Sequence, residues 1–313
     1  MVSRRGWLLF AAMGVIWGIP YLLIKVADGG VSVPVLVCTR VALGSLLLLP
    51  AAIRGGHLRA LRGHVRWLAA FTALEIVGPF ALLSNAEKHL PSSTSGLLVA
   101  AVPIFSALLA WLTRAGGRPN EGQQSGIRWA GLAVGLGGVA LLAGPGAGRG
   151  TAVPVLEVLG TALGYSIGPL IANRKLSHLP PVAVNTVCLG AAAVVYAPFA
   201  ALTWPRHLPS AEVLLALAGL GVVCTAAAFL IFFRLIAEVG PARATVITYV
   251  NPAVAVALGV LVLGEHLTAA IGVSFAAILG GSVLATRPGS ARTAPPPETP
   301  EVAREGVTPV RSD

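Results

Sequence analysis

The sequence predicts an all-α integral membrane protein of ten transmembrane helices arranged as two inverted five-helix repeats, and three observations predict it. Of 313 residues, 56% are hydrophobic and only 11% are charged, a balance that a soluble core of this size does not need. The apolar residues gather into ten runs, each close to the ~20 residues that a bilayer requires. The second five runs keep the glycine and proline landmarks of the first five at an offset of about 148 residues, and one unit used twice is a common construction for transporters.

The first run, 7–27, follows Arg4 and Arg5 and carries Gly14 and Gly18 on one helix face, where small residues let a neighbour approach closely. Its apolar character persists to Val26, past the ~7–15 residues of a secretory signal core, so it reads as a span. The second, 33–52, is bracketed by Pro34 and Pro50, and the third, 67–86, contains Glu75. The fourth, 92–113, opens on Leu90-Pro91-Ser92-Ser93-Thr94-Ser95-Gly96 and contains Pro103; the fifth, 126–144, is apolar nearly all round, as a buried or lipid-facing helix must be. In the second copy, run six, 152–173, aligns Gly160 and Gly164 with Gly14 and Gly18 and adds Gly168. Run seven, 181–203, is bracketed by Pro181 and Pro198, and run eight covers 212–233. Run nine, 241–263, places Pro252 where the fourth has Pro103, and run ten covers 268–286.

Prolines at 20, 79, 103, 169 and 252 fall inside these runs. Neighbouring helices can satisfy the carbonyls they free, whereas a central strand could not hold them, which argues against a barrel. The repeats are expected at 1–146 and 147–287. Between them 144–150 (GPGAGRG) lacks the Gly-Lys-Ser/Thr ending and the strand of a phosphate loop, so it reads as a flexible connector. The tail, 288–313, is rich in Pro, Thr, Glu and Arg without apolar periodicity, a composition expected to be disordered.

The net charge of +10 does not describe a nucleic-acid surface, because the basic residues sort by side of the membrane. With the N-terminus inside, seventeen of the 22 Lys and Arg fall in cytoplasmic segments. Lys88, Arg149 and Arg206 fall outside, and Lys25 and Arg40 lie within spans. This positive-inside asymmetry sets both termini in the cytoplasm and the protein in the inner (plasma) membrane. Five spans per copy is an odd number, so the copies enter the membrane upside down relative to each other. Cys38, Cys188 and Cys224 all lie in spans without metal-ligand spacing and read as small buried residues; no metal and no cofactor is expected.

Ionisable residues in hydrocarbon cost about 2.5–3.5 kcal/mol on insertion scales, so they face cavities or partners. Arg40 remains charged at its depth and needs a carboxylate, a substrate anion or water. Glu75 is the deepest carboxyl, a candidate to bind a proton or else to pair with Arg40 or Lys25. Lys25 can contact ligand or reach the outer headgroups along its own stem, and Glu157 lies nearer an interface. Among uncharged side chains, Trp17 and Tyr249 each sit three residues before a proline, and Asn251 precedes Pro252; interrupted helices expose backbone to ligands. With Tyr21 and Tyr165 at similar depth, the expected substrate-binding set is Trp17, Tyr21, Lys25, Arg40, Glu75, Tyr165, Tyr249 and Asn251.

These residues give the chain a resemblance to the EamA-type ten-helix transporters of the drug/metabolite transporter superfamily. It rests on Trp17-Gly18 with Lys25, on Arg40, and on Pro103 in the first copy. In the second it rests on Pro241-Ala242-Arg243-Ala244, Tyr249-Val250-Asn251-Pro252, Leu263-Gly264-Glu265, Gly272 and Gly280-Gly281. The first copy departs from it, with Gly116 where Leu-Gly-Glu would place its glutamate. The resemblance implies a central cavity and export of small metabolites, often amino acids or their relatives, driven by an ion gradient or by exchange. The expected partners are a small-molecule substrate, a coupling proton and membrane lipids, with homodimerisation left open. A multidrug or importing permease, or a membrane scaffold or sensor, is the alternative. An enzyme is not expected: the sequence has no Gly-x-Ser-Gly or His-Glu-x-x-His, and its only aspartates are Asp28 and Asp313. Glu265 is expected to order the junction of spans nine and ten.

Overall fold

A computed structural model describes residues 3–112, 126–142, 152–240 and 244–286; the 144–150 connector and the 288–313 tail lie outside the described residues. Among those residues the chain is helical throughout, with no strand. The helices are α1 (Arg4–Ala27), α2 (Val33–Arg54), α3 (Leu58–Ala86), α4 (Ser92–Ala110), α5 (Gly126–Leu142), α6 (Ala152–Leu176), α7 (Pro181–Leu202), α8 (Ala211–Val239), α9 (Val246–Leu263) and α10 (Ala269–Thr286). Eight of them are long and apolar enough to cross a membrane; the apolar stretches of α5 and α10 are shorter. Two boundaries differ most from the sequence expectation. α3 begins earlier, because the loop 57–64 is wound into a 3₁₀ helix, and α8 runs on to Val239, which puts Arg234 on a helix instead of in a loop.

The helices associate in pairs: α2 with α7, α5 with α10, α4 with α9, α1 with α8, and α3 with α6. Small residues permit the closest of these approaches. A Cβ added to Gly281 on α10 would fall 2.5 Å from the backbone nitrogen of Gly135 on α5, so here the two backbones touch. The Gly14/Gly18 face of α1 carries the contact with α9, where Val250 and Val254 occupy the space that side chains would need.

Few of the long helices are regular. α1 loosens at 17–19, where the Gly18 N–H donates to Val15 and leaves the Gly14 carbonyl free. α4 loosens at 100–101, just before Pro103. Segments Thr72–Val77 of α3, Ala172–Leu176 of α6 and Gly219–Ala227 of α8 are wound as π-helix, and Thr245–Tyr249 at the start of α9 as 3₁₀.

The N-terminus of α4 is capped from the other end of the chain. Pro91 offers no side-chain cap, and the Glu265 carboxylate, between α9 and α10, accepts the N–H groups of Ser92 (2.7 Å) and Ser93 (3.0 Å). Burial raises the Glu265 carboxyl, but the bonds from Ser93 and Ser92 outweigh it and hold the group below its ordinary value of 4.5. A carboxyl depressed in the folded state contributes stability above its unfolded pKa and loses it as pH falls through the folded one. Glu265→Gln is therefore expected to lower stability by about 0.5–1 kcal/mol at neutral pH, the weaker end of helix-capping effects because the group is partly exposed. The difference in thermal denaturation from the parent protein should shrink as pH falls below 4.5.

Candidate functional site

Arg40 is the centre of the polar interior. Its side chain, 6% exposed, projects from α2 between α3 and α8. The helices can come this close because Gly44 of α2 lies against Thr225 and Gly221 of α8 against Leu43 and the Arg40 carbonyl. Arg40 Nε donates to Thr225 Oγ1 at 3.2 Å, and the guanidinium carbon sits 4.0 Å from the centre of the Phe80 ring. Thr225 stands on the π-helical stretch of α8 and donates to the Leu220 carbonyl at 2.8 Å. Tyr21 and Tyr165 lie within electrostatic reach of the guanidinium. Among the described residues no carboxylate pairs with Arg40; its neighbours are a hydroxyl, an aromatic face, two phenols and the Cys224 thiol.

Glu75 stands on the π-helical stretch of α3. Opposite it, α6 presents the Gly160, Gly164, Gly168 face. A Cβ on Gly164 would fall 2.4 Å from the Leu74 carbonyl, and one on Gly168 would overlap the Glu75 carboxylate itself. The carboxyl thus occupies space that only glycine leaves open. Its Oε2 is buried without a hydrogen-bond partner. Tyr165, three residues before Gly168, reaches both Arg40 and Glu75 electrostatically, so Tyr21, Arg40, Tyr165 and Glu75 form one group contributed by α1, α2, α6 and α3.

The other four sequence-predicted residues lie elsewhere. The Lys25 ammonium donates to the carbonyls of Glu87 and Leu90 (3.0 Å to the latter), tying α1 to the α3–α4 turn. Trp17 packs on Phe232 of α8 with ring centroids 4.7 Å apart, in a cluster with Met13, Leu235 and Ile247 separate from the main core. The Tyr249 hydroxyl donates to the Ser282 carbonyl at 3.5 Å. With its amide oriented to suit its surroundings, Asn251 donates to the carbonyls of Gly14 (3.2 Å) and Ile247 (3.0 Å). It thereby satisfies the group that the break in α1 frees. Glu157 accepts from Asn85 at 2.7 Å and links α6 to α3.

Thr225 and Phe80 were not legible as site residues in sequence. A threonine and a phenylalanine inside apolar runs carry no signal until the fold sets them beside Arg40. Among the described residues no cluster of three or more His, Cys, Asp or Glu side chains is placed to hold a metal ion.

A model of the EamA-like transporter family matches residues 4–144 and again 153–287. The chain belongs to the EamA-like transporter family. This EamA-like transporter is 29% identical over 279 residues, 88% of each chain, to the uncharacterized inner membrane transporter YedA of Escherichia coli K12. It is 27% identical to a probable terminal-alkyne amino-acid exporter of Streptantibioticus cattleyicolor, over 84% of this chain and 87% of that one. It is 23% identical to the uncharacterized transporter YvbV of Bacillus subtilis, over 85% and 86%. A crystal structure at 24% identity superposes with a TM-score of 0.64, covering 91% of this chain and 98% of that one, and shares the fold.

The fit of α6 over Glu75 is directly testable. Gly168→Ala should force the Glu75 side chain or α6 to move and cost about 1–3 kcal/mol, the usual penalty of overpacking. Gly137→Ala on α5 faces open space and should be neutral or slightly stabilising. Thermal denaturation of the two variants in detergent checks the contrast; equal midpoints would remove it.

Proposed function

We propose that this EamA-like transporter is a secondary active exporter of the inner membrane that moves small carboxylate-bearing metabolites, amino acids or their relatives, by alternating access coupled to protons. The isolation of Arg40 carries this reading. A buried guanidinium stays charged, and holding it away from water is costly unless a counter-charge faces it. The protein supplies no carboxylate there, so a substrate carboxylate does. A planar fork suits that partner geometrically as well as electrostatically.

Tyr21 and Tyr165 orient the bound solute, and Glu75 receives either the coupling proton or the substrate amine. Arg40 and Glu75, both within electrostatic reach of Tyr165, offer groups for the two ends of one small zwitterion. The relative named as an amino-acid exporter supports this substrate class. Cationic drugs are disfavoured because Arg40 would repel them.

Alternating access follows from two inverted repeats, 1–146 and 147–287, with both termini in the cytoplasm. Two separate family matches support the division. So do the helix pairs: exchanging each helix with the one five places along turns α2–α7 and α5–α10 into themselves and α1–α8 into α6–α3. Two near-equivalent halves can exchange conformations around a fixed central site.

Purified protein in proteoliposomes, offered a mixed metabolite pool and read by mass spectrometry, should accumulate a few carboxylate-bearing solutes under an imposed pH gradient. Arg40→Gln should lower that accumulation at least tenfold in folded protein, with Arg40→Lys intermediate. Glu75→Gln should abolish its dependence on the gradient. Accumulation of cations or neutral solutes unaffected by Arg40→Gln would sink the reading.

A further inference from the structure

A second group of unmatched polar atoms lies away from Arg40, where α1 ends, α3 turns into α4, and α9 turns into α10. Glu87, the first residue past α3, is 0% exposed, and neither carboxylate oxygen has a hydrogen-bond partner. Ser95 faces it from α4, itself 0% exposed and with its hydroxyl equally unmatched. Ser92 Oγ and both carboxylate oxygens of Asp28 are buried and unmatched in the same region.

The nearest cation does not answer Glu87. Lys25 directs its ammonium to the main-chain carbonyls of Glu87 and Leu90. The Tyr21 phenol of α1 reaches Glu87 as a neutral group, and the other charged groups facing it are Asp28, at the end of α1, and Glu265, from the α9–α10 turn. Both are acidic, and Glu265 is already committed to the α4 N-terminus. An ionised Glu87 would have no cation bonded to its carboxylate and only neutral hydroxyls within reach, beside two further carboxyls, a costly arrangement. A neutral acid has a hydroxyl to donate, and the Ser95 oxygen is an open acceptor.

We propose that Glu87 is a proton-binding site, holding its proton toward Ser95 and forming the station at which a proton enters or leaves the transporter at this end of the helices. Its role in coupling rests on the transport reading above; the proton site itself does not. Burial pushes the Glu87 carboxyl well above its ordinary range, opposed by Lys25 and Ser95 and reinforced by Glu265 and Asp28. Loss of the proton would put an anion without a bonded cation at the meeting of α1, α4 and the α9–α10 turn. Separation of α4 from α1, admitting water, is the relief open to it.

Infrared difference spectroscopy across a pH titration of the full chain in nanodiscs decides whether the proton is there. The parent protein should show a protonated carboxyl band at neutral pH that disappears in Glu87→Gln, survives in Glu75→Gln, and shifts in Ser95→Ala, which keeps the carboxyl if Glu87→Gln fails to fold. A band unchanged in both Glu87→Gln and Ser95→Ala overturns the site. So does a neutral-pH carboxylate signal at Glu87 that responds to sodium ions instead of pH. In proteoliposomes, gradient-driven accumulation should fall at least tenfold in Glu87→Gln, and full retention overturns the coupling role even if the band is lost. A parent protein that moves no solute would count against the transport reading, and the spectrum would still decide the site.

Discussion

Among the described residues, the breaks in α1, α3 and α4 are each repaired by another helix, and that requirement organises the fold. In an apolar surrounding an unpaired backbone carbonyl has no water to turn to. The carbonyl freed in α1 at Gly14 takes the Asn251 amide of α9. At the break in α4, Ala100 takes the Ser282 hydroxyl of α10 (3.3 Å) and Val102 the Ser166 hydroxyl of α6 (3.0 Å). Along the irregular stretch of α3, Val77 takes the Tyr196 hydroxyl of α7 (2.6 Å), and Pro79 the Thr161 hydroxyl of α6 (3.2 Å). These donors link elements far apart in sequence, so each interruption is also a tie between the two halves of the chain.

The interruptions position the site as well. A π-helical turn inserts an extra residue and rotates the rest of the helix beyond it, and such turns recur at functional sites. Of the three among the described residues, those in α3 and α8, five helices apart, carry Glu75 and Thr225. Glu75 fits because α6 presents glycines to that turn; Thr225 fits because Gly44 yields space on α2. The polar centre is thus built from backbone irregularities and the small residues opposite them, with few long polar side chains.

The helical class, most span positions and the Gly14/Gly18 packing face were legible because hydropathy and small-residue spacing are local properties of the chain. Arg40, Glu75, Tyr21 and Tyr165 were legible for a related reason: polar groups at mid-span stand out against their surroundings. What sequence could not separate was ligand contact from backbone repair. Asn251-Pro252 has the same appearance whether the amide meets a solute or the Gly14 carbonyl, and Lys25 whether its ammonium meets a substrate or the end of α3. Only the path of the neighbouring helix distinguishes them. Glu87 escaped for the opposite reason, since a glutamate just past a span ordinarily faces water, and its enclosure depends on the turns of α4 and α9 closing over it.

Separation of charge is the remaining feature to explain. Had Arg40 met Glu75 directly, the two would have formed a buried ion pair, and a zwitterionic solute would have had to break it before binding. Tyr165 stands within electrostatic reach of both, and no ion pair joins them among the described residues. On the proposed reading, a bound zwitterion would supply the guanidinium with its counter-charge at one end and meet the Glu75 carboxyl at the other. The cost of burying a charge would then disfavour closing the halves without solute, because closure would further desolvate a guanidinium that lacks a counter-charge. On the same reading, a transporter that resists moving while empty avoids leaking its driving ion, and here that resistance would come from leaving Arg40 without a carboxylate partner.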